Sequence, residues 1–158
     1  MNSQELLDKI AYNIIQGSLE SKYPGFNFRL ENQPGVTELM QTALDQNLDP
    51  KKIIVESLAK PMEEVIEKYK AEDCLGIEVL ASAHCAGAGM EMLKAQLKEI
   101  GLKQARFVIA VVKGDLHTLG AEIVEMMLEG FGYETVNLGS DVSANRIADA
   151  IKNHKATY

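Results

Sequence analysis

The run Phe107-Val108-Ile109-Ala110-Val111-Val112 is continuously apolar, rich in β-branched side chains and free of polar alternation. Such a run suits a strand buried on both faces, and strands of that kind belong to parallel sheets covered by helices. A loop follows, Lys113-Gly114-Asp115-Leu116-His117-Thr118-Leu119-Gly120, and leads into an apolar helix carrying Ile123, Val124, Met126, Met127 and Leu128. That helix is expected to end near Gly130-Phe131-Gly132. A second strand fits residues 134–138, and Ser140-Asp141-Val142-Ser143 supplies an N-cap for a helix running to about His154. Two strands and two helices fall short of a doubly wound sheet, which usually needs about four to six strands and binds ligands where the strand order reverses. Residues 103–158 therefore read as the first part of such a sheet.

The chain before this point has helical periodicity. Leu6, Leu7, Ile10, Ile14, Ile15 and Leu19 recur at helical spacing and predict a helix over residues 3–22, broken by Tyr23-Pro24-Gly25. A second helix fits residues 35–47. Asp49-Pro50 opens a third, with proline in the first turn where its missing N–H is harmless, and Pro61 should kink that helix or break it near Lys60. The fourth, over residues 75–100, has a centre of small residues, Ala81-Ser82-Ala83-His84-Cys85-Ala86-Gly87-Ala88-Gly89, and Gly101 is a natural stop. Small residues on one helix serve equally for close helix packing and for a large ligand lying against it. The fold class is thus all-α followed by α/β, divided as residues 1–102 and 103–158.

Composition narrows the function classes. The net charge of -7 over 158 residues argues against a nucleic-acid partner, since phosphate binding depends on clustered Lys and Arg. No apolar stretch is long enough to span a bilayer and the N-terminus lacks a signal-peptide pattern, so the expected setting is cytoplasmic. Cys74 and Cys85 match no zinc-ligand spacing and read as reduced thiols.

The loop at 113–120 is the place to look for chemistry. A histidine in a glycine-bounded loop at the carboxyl end of a strand stands where open α/β sheets bind ligands. Asp115, two residues before His117, could accept an imidazole N–H, fix the tautomer and raise the basicity of the other nitrogen, as the outer partner of a metal-bound histidine does. It could equally cap the next helix, with His117 bonded only to backbone. Gly114 and Gly120 would allow a flat ligand to approach the backbone. Neither a Walker Lys-Ser pair nor Gly-x-Gly-x-x-Gly is present, and no Ser or Cys sits in an elbow beside His117.

The loop resembles the Asp-x-His-x-x-Gly motif of cobalamin-binding domains in methionine synthase and in the corrinoid proteins of methanol, methylamine and aryl-ether demethylation. Upstream Met62-Glu63-Glu64-Val65 and downstream Asn137-Leu138-Gly139-Ser140-Asp141-Val142, similar to Asp-Leu-Gly-x-Asp-Val, extend the likeness over nearly the whole chain. The resemblance implies a four-helix cap over the upper face of a cobalt corrinoid, followed by a flavodoxin-like cobalamin-binding domain. It implies His117 as the lower cobalt ligand, Asp115 as its hydrogen-bond partner, and Thr118, Leu119 and Gly120 beside the cofactor, with Ala86 of the small-residue helix facing the corrin.

The implied function is a methyl carrier without catalysis of its own, alternating between cobalt(I) and methyl-cobalt(III) and serving a methyl-donor and a methyl-acceptor methyltransferase, with a hinge near Gly101 and Leu102. Thr118 replaces the motif's usual Asp, and Ala121-Glu122 its usual Lys-Asn. The family's third-strand Ser-x-Leu and later Gly-Gly motifs, which line the pocket for the nucleotide tail, have no counterpart, because Lys155-Ala156-Thr157-Tyr158 stands where that strand should begin. A strand edge left unpaired in this way favours a homodimer. The alternatives are a cobalamin-dependent sensor and a structural fragment that binds no cofactor.

Overall fold

The computed structural model describes residues 2–99, 105–130 and 133–158. The helices α1 (Ser3–Ile15), α2 (Val36–Asp45), α3 (Pro50–Ile53), α4 (Lys60–Lys70) and α5 (Gly76–Glu99) come first. They are followed by β1 (Arg106–Ile109), α6 (Leu119–Gly130), β2 (Glu134–Asn137) and α7 (Ala144–His154). Among the described residues, five α-helices thus precede the first strand. The boundary at residues 102 and 103, the stop at Gly101 and the hinge at Gly101 and Leu102 lie outside the described residues.

The helical part forms around one core. Leu6, Leu7, Ile10 and Ile14 of α1 are buried against Val36, Leu39 and Met40 of α2, with Ile53, Leu58, Met62, Leu93 and Leu97 completing the cluster. Asn2 starts α1 by accepting the Glu5 N–H at 2.8 Å. The helix stops at Ile15, well short of the expected residue 22. Gly17 adopts φ +66° and donates to the Ile14 carbonyl at 3.0 Å, while Ser18 donates to Asn13 at 2.9 Å. This is a Schellman closure, which glycine adopts cheaply and which apolar spacing alone does not reveal. A Cβ at Gly17 would also stand 2.8 Å from Cβ of Ala81 on α5. Leu19 consequently reaches the core from a loop.

That loop is tied to α2 by Glu38, whose carboxylate accepts the N–H groups of Gly35 and Ser21, each at 3.0 Å. Burial pushes this carboxyl up, but the hydrogen bonds outweigh it and hold Glu38 below its ordinary value.

Pro61 does not break the third helix. Between α3 and α4 the chain widens into a π-helical segment, Ile54–Ala59, and the Lys60 N–H bonds to Val55. The wider turn absorbs the hydrogen bond that Pro61 is unable to make to Ser57. Ser57 instead donates its hydroxyl to the Leu7 carbonyl at 3.0 Å, locking this turn to α1.

In the α/β part, β1 and β2 are parallel with Arg106 opposite Glu134 and Ile109 opposite Asn137. Regular pairing ends at Ile109, but a parallel bridge between Val112 and Val142 carries the two chains on side by side. The β1 side chains are half-buried, not buried as the unbroken apolar run suggested, because so narrow a sheet leaves its strands partly open.

On the edge of β1 away from β2, Thr157 donates to the Arg106 carbonyl at 2.8 Å and the Tyr158 carbonyl accepts the Val108 N–H at 3.1 Å. Tyr158 also stacks on Phe107, with ring centroids 4.9 Å apart. Residues 157–158 thus run alongside β1 without forming a regular strand. The edge expected to be free is partly paired within the chain, which removes part of the reason for expecting a dimer.

Alternation along the strands sets the layers. Thr135 and Asn137 bond to Glu125 and Glu129 of α6 on one face. Arg106, from the other set of positions, pairs with Glu134 and donates to the His154 carbonyl at the end of α7. Helices are thus reached from both faces of the parallel β1–β2 pair, the layering expected of a doubly wound sheet.

Candidate functional site

The loop that leaves the carboxyl end of β1 is built by short-range polar contacts. Asp115 donates its N–H to the Val112 carbonyl at 3.1 Å, and Gly114 takes φ +93° to make the turn. The Asp115 carboxylate then accepts the His117 N–H at 2.9 Å, and the same oxygen lies 2.7 Å from His117 Nδ1. Both readings of Asp115 therefore hold together: it closes a local turn and it partners the imidazole. The His117 backbone N–H, and after it the imidazole, hold the Asp115 carboxyl below its ordinary range.

His117 projects outward. Its side chain is 96% exposed, and Nε2 has no hydrogen-bond partner among the described residues. Because Asp115 occupies Nδ1, the proton is placed on that nitrogen and the lone pair on Nε2, the form in which histidine binds a metal. Thr118 is half-buried, and its carbonyl accepts the Glu122 N–H as the first bond of α6. Leu119 is the first residue of that helix. A Cβ placed at Gly114, Gly120 or Gly139 would meet no atom within 4 Å, so packing within the chain does not explain these glycines.

Asp115, His117, Thr118, Leu119 and Gly120 thus share one loop and helix start beyond the end of β1. Ala86 does not stand with them. It is fully buried in the helical core, as are Ala83 and Cys85. Burial drives the Cys85 thiol up to about 12. Much of the small-residue centre of α5 is used for close packing: Ala81 meets Gly17, and a Cβ at Gly89 would lie 2.9 Å from Leu58 Cδ2. His84 is exposed on the opposite side of the helix.

One residue of the site went unrecognised as such in the sequence. Asp141 accepts the Gly114 N–H at 2.9 Å and donates its own N–H to the Asp115 carbonyl at 3.1 Å. The sequence placed Asp141 in a helix cap and in the likeness to Asp-Leu-Gly-x-Asp-Val without giving it a contact; the cap itself is supplied by Ser143, which accepts the Arg146 N–H at 3.3 Å.

Among the described residues no group of three or more His, Cys, Asp or Glu could hold a free metal ion. The outward imidazole of His117, with open backbone around it, leaves Nε2 accessible to a group from outside the chain.

Residues 105–158 match the family described as B12 binding domain, and residues 32–94 match a second family of the same description. The chain belongs with the B12-binding corrinoid proteins. The trimethylamine corrinoid protein of Methanosarcina barkeri is 33% identical over 125 residues, covering 75% of this chain and 56% of that protein. A corrinoid protein of Desulfitobacterium hafniense is 29% identical over 143 residues, or 88% of this chain and 60% of its own length.

Among solved structures, a chain of the methanol:cobalamin methyltransferase complex of Methanosarcina barkeri superposes with a TM-score of 0.73 at 28% identity, over 98% of this chain and 54% of that one. The monomethylamine corrinoid protein of the same organism gives 0.56 at 26% identity, over 98% and 66%. The chain spans between about half and two thirds of the length of these relatives. Its family cofactor is cobalamin. Among the described residues no helix is long and apolar enough to cross a membrane.

Proposed function

We propose that this chain is the cobalamin-holding part of a methyl carrier that passes a methyl group from a methyl-donor methyltransferase to a methyl-acceptor methyltransferase. The observation that carries the proposal is the Asp115–His117 pair, 2.7 Å apart, which holds an exposed imidazole at the carboxyl end of β1. When bound, the corrinoid supplies a cobalt centre that takes up a methyl group in its reduced state and later gives it up.

The chain's own residues prepare that centre from below. His117 Nε2 would hold the cobalt, with Asp115 keeping the proton on Nδ1 so that Nε2 stays a donor of electrons. The open backbone at Gly114, Gly120 and Gly139 leaves room for a flat ring, and Thr118 and Leu119 start α6 beside it. Residues 1–102 would cover the bound group and residues 103–158 would hold it through His117. The names of the relatives, which concern methylamine and methanol systems, support the methyl-transfer setting.

The test is a titration of the purified protein with hydroxocobalamin, followed by cobalt analysis after gel filtration. One cobalt retained for each chain, with an absorption spectrum shifted by imidazole ligation, is expected. A cobalt-free protein with an unshifted spectrum would refute cobalamin binding. Methyl transfer from a loaded sample to an acceptor methyltransferase then tests the carrier role.

A further inference from the structure

We propose that Asp141 is a positioning residue for the His117 loop, its carboxylate gripping the Gly114 N–H and its own N–H gripping the Asp115 carbonyl so that the imidazole is presented at the end of β1. The inference rests on the cobalamin-holding role of His117 proposed above, and assigns the bracing of that residue to the segment that follows β2.

The geometry has three parts. First, the two hydrogen bonds, at 2.9 and 3.1 Å, clasp the residues on either side of the peptide that joins Gly114 to Asp115. Asp115 in turn holds both the backbone and the ring of His117. The connection therefore runs from Asp141 to the imidazole through hydrogen bonds and one short stretch of chain.

Second, Asp141 adopts φ +55°, a left-handed conformation that side chains other than glycine, asparagine and aspartate rarely take. The neighbouring Gly139 is also left-handed at φ +80°, and its N–H is held by the Asn137 side chain at 2.8 Å. A backbone bent in this way turns the 141 carboxylate and N–H toward the same side, where the 114–115 turn lies.

Third, the segment is anchored on both sides of Asp141. The Val111 N–H bonds to the Gly139 carbonyl at 2.9 Å, and the Val142 N–H bonds to the Val111 carbonyl at 3.0 Å. Val142 is itself buried. An exposed loop with a nearly fully exposed imidazole has no packing to hold it. Its position depends on a polar brace, and Asp141 provides one from a segment fixed to β1.

Three substitutions separate the parts played by the carboxylate and the backbone. Asp141→Gly keeps the left-handed backbone and the N–H but loses the acceptor. Asp141→Ala loses the acceptor and strains the backbone, and Asp141→Asn keeps an acceptor and tolerates the conformation. In the cofactor-free protein, amide hydrogen exchange read by NMR should show loss of protection at Gly114 and His117 in Asp141→Gly and Asp141→Ala, and its recovery in Asp141→Asn.

In hydroxocobalamin titrations the first two variants should bind about ten-fold more weakly, with part of the imidazole-ligated spectrum lost, as for removal of an outer-shell partner. Unchanged protection at Gly114 and His117 in Asp141→Gly would overturn the proposal whatever the cofactor does, as would full wild-type ligation in that variant. If the wild type and His117→Ala give the same cobalamin spectrum, the ligand assignment of His117 fails, while the exchange result still decides whether Asp141 braces the loop.

Discussion

Ala86 and Gly87 are adjacent in sequence but stand about 100° apart around α5, and they should respond oppositely to the same large substitution. Ala86 is fully buried in the helical core. Gly87 is half-buried and precedes Met90, Glu91 and Lys94 by three, four and seven residues, which puts it on the same helix face. Those three residues border a cleft of about 470 Å³ beside β2 and the end of α6.

Inserting a few extra methylenes into a packed core costs about 1–3 kcal/mol. Ala86→Trp, which adds a whole indole, should therefore cost about 3 kcal/mol or more. With a urea dependence of about 2 kcal/mol per molar, the unfolding midpoint should fall by roughly 1.5 M. Gly87→Trp removes a helix-interior glycine and should hold or slightly raise the midpoint, by a few tenths of a kcal/mol (~0.3). The bundle should stay folded in that variant, and corrinoid binding should persist, because Arg106 and Glu134, which line the same cleft, lie at the amino ends of the strands, away from His117. Far-UV circular dichroism in urea and hydroxocobalamin titration on the same samples read both effects. A wild-type midpoint for Ala86→Trp together with lost corrinoid binding would refute the reasoning and return Ala86 to the face over the corrin.

Asp115→Asn should weaken cobalamin binding by roughly 10- to 100-fold, measured by titration with hydroxocobalamin, and leave the thermal unfolding of the helical part unchanged. Glu38→Gln should destabilise the protein by about 1 kcal/mol at neutral pH, because two backbone N–H groups lose a charged acceptor. Since the folded-state pKa of Glu38 is depressed, that contribution is fully present above the ordinary glutamate range and is lost as pH falls through the depressed value. Urea midpoints of wild type and variant should therefore converge in acid. Cys85, raised to about 12 by burial, should resist a thiol reagent at pH 8 until the bundle unfolds, whereas half-buried Cys74 should react first.

How much was legible in the sequence depended on whether a feature is local. The β-branched run at 107–112 and the Asp-x-His-x-x-Gly loop announce themselves through neighbouring residues, and the strand, loop and helix stand where those residues put them. The end of α1 did not, because apolar spacing continues past Gly17 although the backbone turns there. Pro61 signalled a disturbance in the right place, but not that a π-helical segment would absorb it. The small residues of α5 were ambiguous by nature: only the distances from Gly17 to Ala81 and from Gly89 to Leu58 separate packing from ligand contact. Asp141 was hidden for a different reason. Its partners are Gly114 and Asp115, far away in sequence, and pairing between β1 and the chain after β2 is what brings them together.

The most direct test of the central claim is electron paramagnetic resonance of the protein loaded with cobalamin in its cobalt(II) form, prepared with histidine labelled by nitrogen-15. Splitting of the cobalt signal by a single nitrogen should follow the isotope in the wild type, as the proposed coordination by His117 Nε2 requires. It should disappear or revert to an unlabelled nitrogen in His117→Ala. A splitting that ignores the histidine label in the wild type, or that persists unchanged in His117→Ala, would contradict the account.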